Sequence, residues 1–123
     1  MTRAPEGTAH YRSMTERRVQ VTPWAGSAPP SPEELEAVLR CEGLEPHWWA
    51  NGPGDVYAPH EHPYHKVLFC AEGSITFVVE PGNLKLEIRP GDRMDLPRGT
   101  RHSAVVGPRG VRCVEGWRYG SEG

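Results

Sequence analysis

Three histidines fall within six positions in the stretch HEHPYHK, residues 60–66. Imidazole is the commonest metal-ligating side chain. His60 and His62 are two residues apart, so on a strand both leave the same face. That spacing makes a two-point grip on an ion, although two surface histidines beside a turn would show the same pattern. A further histidine, His102, follows the turn-forming segment PRGTR. Three imidazoles plus solvent is a donor set for catalytic zinc or non-haem iron. Lys66 does not fit this picture. An ammonium is no ligand, and a +1 charge about 4 Å from a +2 ion costs several kcal/mol even at an effective dielectric of about 20. Lys66 shares strand parity with His62. His65 has the opposite parity, which argues against a role as fourth ligand.

Other side chains are candidates for a pocket beside these groups. Tyr57, Tyr64, Trp48, Trp49 and Trp117 could line one, although aromatics in a small barrel more often fill the core or an interface. Cys70 shares parity with Lys66 and is either a pocket residue or a buried inert thiol. His47 reads as a surface histidine. Asp95 and Glu87 read as solvent-facing strand residues.

Whatever positions these groups must be built from short elements. The chain has 123 residues with 14 glycines and 13 prolines, which suits one domain with many tight turns. A net charge of -2 offers no electrostatic case for nucleic acid or an anionic membrane. No apolar run is long enough to span a bilayer, and the N-terminus has no hydrophobic signal region. Cys41, Cys70 and Cys113 are odd in number and irregularly spaced. Free thiols and a cytoplasmic location are expected.

Residues 1–18 are polar and aperiodic, as in a disordered tail. VQVTPW, residues 19–24, alternates as a short strand does. SPEELEAVLRCEG, residues 31–43, is a helix by its signals. Ser31 is the N-cap, Pro32 takes the first position, and Glu34 completes a capping box. Leu35, Val38 and Leu39 form its apolar face, and Gly43 ends it. Thereafter the period is two, with breaks expected at residues 72, 81, 90, 97 and 107–110. Short strands at regular spacing predict an antiparallel sandwich or barrel.

The spacing of the chemical groups resembles the two signature motifs of the cupin superfamily. Gly54, DVYAP, His60-Glu61-His62, PYH, Lys66, VLFCAE and Gly73 follow the first motif. Gly91, DRMDL, Pro97-Arg98-Gly99, TR, His102, SAV and Val106 follow the second. The resemblance covers about residues 45–117. It implies an all-β double-stranded β-helix, or jelly-roll barrel, over residues 45–119. A strand, linker and short N-terminal helix would precede it over residues 19–44. It also implies a divalent metal (Zn, Fe, Mn or Ni) on His60, His62 and His102, and a homodimer paired through VQVTPW.

The chain departs from the motifs twice. Val106 stands where the family has asparagine, a minor change. Lys66 stands where the family has a glutamate ligand. Three readings stay open. The histidines hold a metal without the glutamate, as in cupins resembling thiol dioxygenases, and Lys66 binds a substrate carboxylate or donates a proton. Alternatively, Lys66 and the histidines form a metal-free nest for a small anion, or the site is vestigial. The first implies an enzyme, dioxygenase- or isomerase-like, on a small polar substrate. The second implies a ligand-binding or sensor module.

Overall fold

Ser31 starts the one helix among the described residues as its side chain requires. In the computed structural model, which describes residues 18–120, the Ser31 hydroxyl accepts from the Glu34 amide at 3.1 Å. The Glu34 carboxylate in turn accepts from the Ser31 amide at 2.7 Å. Helix α1 (Pro32–Cys41) follows, and Gly43, with φ of 80°, ends it. A three-turn helix persists only if it docks. Leu35 and Leu39 are fully buried, packed with Leu44, Val67, Phe69 and Val114.

The other described elements are seven strands: β1 (Gln20–Thr22), β2 (His47–Asn51), β3 (Val56–His60), β4 (His65–Val79), β5 (Leu84–Ile88), β6 (Arg93–Leu96) and β7 (His102–Arg118). All pair antiparallel in one sheet of order β1-β6-β4-β7-β2, with β3 on β7 and β5 on β4. This is the all-β barrel with one short helix that the motifs imply. The expected tail lies outside the described residues except for Arg18.

Two expected breaks are not turns. The chain does not leave the sheet at Glu72-Gly73 or at residues 107–110. Instead β4 and β7 continue as strands through both places and pair on either side of them, shifting register between Cys70 and Glu72 and again between Gly73 and Ile75, where residues 107–110 have no partner on β4. Glycine is the reason. Gly73 has φ of 75°, and a Cβ there would overlap the Gly110 carbonyl, so the two strands bulge against each other where side chains would force them apart. The bulge inverts side-chain parity. Before it Leu68 and Cys70 point into the main core; after it Ile75, Phe77 and Val79 do. On the opposite face of β4, Val67 and Phe69 pack under the helix.

Candidate metal and ligand site

His60 closes β3 and lies directly opposite His102, the first residue of β7. His62 follows in the connection to β4. The turn that precedes β7 fixes both later histidines. The Gly99 amide donates to the His62 carbonyl at 2.8 Å, and the Thr100 carbonyl accepts from His102 Nδ1 at 2.8 Å. The Ala58 carbonyl accepts from His60 Nδ1 at 2.7 Å. A carbonyl only accepts, so these Nδ1 atoms carry the protons and each Nε2 presents a lone pair.

The three rings converge. Their centroids lie 4.4 Å (His60–His102), 4.7 Å (His60–His62) and 5.2 Å (His62–His102) apart. One nitrogen from each falls within 4.8 Å of the others. His62 Nε2 and His102 Nε2 are buried and have no hydrogen-bond partner among the described residues. An orphaned buried acceptor costs about 1–3 kcal/mol, so a ligand that accepts both lone pairs fits this place. Burial first, then the charges of Lys66, His60 and His102, push the His62 imidazole down to about 4. Burial also lowers His102, against the pull of the Thr100 carbonyl. Both rings are therefore neutral at pH 7, the form that binds metal. Three imidazoles with open lone pairs are the donor set for a divalent ion.

Lys66 reaches the same cavity from β4, as its parity requires. The cavity, about 220 Å³, is also lined by Trp49, Tyr57, Tyr64, Phe77 and Glu115. Glu115 answers the difficulty Lys66 posed. Its carboxylate lies 3.6 Å from the Lys66 ammonium, and both side chains are more than nine-tenths buried. The indole of Trp49 donates to Glu115 Oε1 at 2.9 Å and that of Trp117 to Oε2 at 2.5 Å. The lysine brings its own counter-charge, so the pair adds no net charge beside the histidines.

Tyr57 and Tyr64 line the cavity, and Tyr64 stacks on His62 at 4.9 Å. Cys70 does not line it. It faces the barrel interior but lies two steps deeper on β4, fully buried beside Cys113 in the core, so its expected place in the pocket is corrected to the core beneath it. Trp48 is on the other face, where its indole donates to Glu36 of α1 at 2.5 Å. Trp117 sits behind Glu115 and stacks on the exposed His47 at 4.1 Å. His65 points away from the site to Asp95, 3.1 Å distant. Asp95 is not solvent-facing, since Arg93 and His65 hold it half-buried.

Glu115 was not singled out in the sequence. Its signal was one carboxylate in the otherwise mostly apolar run VRCVEGW. Nothing local tells that β7 lies on β4 in a register that sets Glu115 diagonally across from Lys66.

Residues 49–121 match the model of the AraC-like ligand binding domain. The chain belongs to that family. The AraC-like ligand binding domain is a cupin-type fold, and solved structures agree. The DMSP lyase of Ruegeria pomeroyi is 27% identical over 61% of this chain and 38% of its own, with a TM-score of 0.56. An RmlC-like cupin from Shewanella frigidimarina is 22% identical over 64% of this chain and 68% of its own, at 0.54. Oxalate decarboxylase of Bacillus subtilis, described with Mn(II) centres, is 19% identical over 62% of this chain and 21% of its own, at 0.55. The matched region thus spans well under half the length of either enzyme. No curated protein sequence matches this chain. No helix among the described residues is long and apolar enough to cross a membrane.

Proposed function

We propose that His60, His62 and His102 hold one divalent metal ion and that Lys66 receives the acidic group of a small ligand beside it. The observation that carries this reading is the pair of buried, unpartnered Nε2 atoms of His62 and His102, aimed at the same point as His60. The family's ligand-binding description and the metal centres of a fold relative support it. A bound divalent ion would supply Lewis acidity and open coordination positions. The chain's own residues do the rest. The Ala58 and Thr100 carbonyls hold the imidazoles to one tautomer, Lys66 offers N–H donors to a carboxylate, and the aromatic walls exclude water.

The test is elemental analysis of protein purified without a His-tag or chelating resin, with the His60→Ala/His102→Ala double variant as control. Near-stoichiometric metal in the wild type, lost in the variant, is expected. Protein that stays metal-free after reconstitution with Fe(II), Zn, Mn and Ni sinks the metal site and leaves the anion nest. Lys66→Glu should raise metal affinity, since it restores the family's carboxylate. Oxygen uptake by the Fe(II)-loaded protein over a panel of small carboxylates separates a dioxygenase-like enzyme from a binding module. A homodimer through the free edge of β1 is the expected assembly, tested by gel filtration at two concentrations.

A further inference from the structure

Glu115 is more than a counter-ion needs to be. A carboxylate accepts at about four positions. Two are taken by the indoles of Trp49 and Trp117. Lys66 lies at 3.6 Å, beyond hydrogen-bond distance. Glu115 therefore keeps acceptor capacity, and it lines the cavity. Lys66 likewise faces the cavity, and its ammonium has no hydrogen-bond partner among the described residues. Glu115 offsets the charge of buried Lys66, but in a pocket that took only an anion the same carboxylate on the wall would repel the ligand.

The rest of the wall favours positive charge. Trp49, Tyr57 and Phe77 line the cavity, and the Trp49 and Tyr57 rings meet edge to face at 5.9 Å. Aromatic rings beside a carboxylate are the surroundings in which a weakly hydrated cation is held. Size limits the choice. With about 30 Å³ per water, a cavity of about 220 Å³ holds the equivalent of roughly seven waters.

We propose that the ligand is a small zwitterion: its carboxylate meets Lys66 and its cationic centre meets Glu115 against Trp49 and Tyr57. The anionic end rests on the reading of Lys66 given above; the cationic end does not. The two charges of such a ligand slot antiparallel to the Lys66–Glu115 pair. Each protein charge then gains the close partner it lacks across 3.6 Å.

The test is calorimetric titration of the full chain, zinc-loaded and chelator-stripped, with four probes. Glycine betaine carries both charges. Its carbon isostere 3,3-dimethylbutanoate has the same shape and carboxylate but no cation. Choline has the cation but no carboxylate. β-Alanine has an unmethylated ammonium. Both zwitterions should bind at least about tenfold more tightly than the isostere and choline. Their order shows whether the aromatic walls or hydrogen bonds to Glu115 hold the cation. Glu115→Gln, compared as zinc-loaded protein, should erase the preference for betaine over the isostere. Lys66→Met should weaken every carboxylate probe.

Equal binding of betaine and the isostere by metal-loaded wild-type protein overturns the proposal, and so does no binding of any probe. That comparison needs no variant to fold. A protein that takes no metal but still prefers betaine retains the zwitterion site and loses the metal reading instead.

Discussion

His65 and Lys66 are neighbours in the chain and belong to different worlds. Side chains alternate along β4, so His65 turns outward and Lys66 inward, each to a cluster of buried charge. In the outer cluster every charge has a hydrogen-bonded partner. Arg93 donates to Glu42 at 2.5 and 3.0 Å and to Asp95 at 2.8 and 3.1 Å. Arg118 adds a bond to Glu42 at 3.2 Å, and His65 one to Asp95 at 3.1 Å. The inner cluster is left open. Lys66 and Glu115 stand 3.6 Å apart, and two imidazole nitrogens have no partner among the described residues. A low-dielectric site makes unpaired polar groups expensive. A chain that closes one cluster fully and leaves the other open a strand's thickness away uses the first for structure and the second for a ligand.

The largest effect expected is therefore on the outside. Arg93 joins Glu42, just past the end of α1, to Asp95 on β6. Arg93→Met leaves two half-buried carboxylates facing each other and should lower unfolding free energy by about 3 kcal/mol, read from urea midpoints. Metal content per folded molecule should not change. A variant that unfolds normally but loses metal would break the separation between the two clusters.

A smaller effect tests the same network by pH. Burial pushes the Asp95 carboxyl up, but hydrogen bonds from His65 and Arg93 and the Arg93 charge outweigh it and bring it down from 3.8 to about 2. Between those values the unfolded chain binds the extra proton and the folded chain does not. The stabilisation is then full above about pH 4 and is lost as pH falls through about 2. It amounts to about 2 kcal/mol, since the side chain is only 20% exposed. Arg93 also lowers Glu42, chiefly through its hydrogen bond, which adds to the same slope. Asp95→Asn should be less stable than wild type at pH 5, and the two curves should converge toward pH 2. Parallel curves would mean that Asp95 is not held as an ion by its partners.

The two clusters were not equally legible in the sequence. Local signals carried the helix: Ser31, Pro32 and Glu34 act within one turn, and Gly43 needs only its own backbone freedom. Parity carried part of the site, because Lys66 and the inward turn of Cys70 lie on one continuous run of β4 before the bulge, whereas His62 lies in the connection ahead of that strand. Parity failed beyond it. Glu72-Gly73 looks like a turn, since glycine marks both turns and bulges, and only the approach of Gly110 decides between them. Depth was also hidden, so Cys70 faced the right way yet sits below the pocket. Glu115 and the Arg93 network depend on which strands lie side by side. Asp95 therefore read as a surface residue, and the counter-charge of Lys66 went unseen.

The smallest effect on stability is expected where the sequence looked most anomalous. In Lys66→Met, Glu115 stays buried, and losing the partner of a buried ion is usually costly. Here the loss should be about 1 kcal/mol, because both indole donors remain on Glu115 and the lysine was never within hydrogen-bond distance of it. The methionine also keeps most of the apolar stem in contact with the wall. Metal affinity should hold or rise, since a positive charge leaves the neighbourhood of the ion. Binding of carboxylate ligands should fall by an order of magnitude or more, about the worth of one charge-assisted hydrogen bond. The contrast with Arg93→Met is the informative quantity. Should Lys66→Met cost as much stability as Arg93→Met, the inner pair would be a fold element like the outer one, and its free valences would not be waiting for a ligand. Should it cost little stability and most of the affinity, Lys66 has taken the glutamate's place in the motif in order to hold what the metal alone would not.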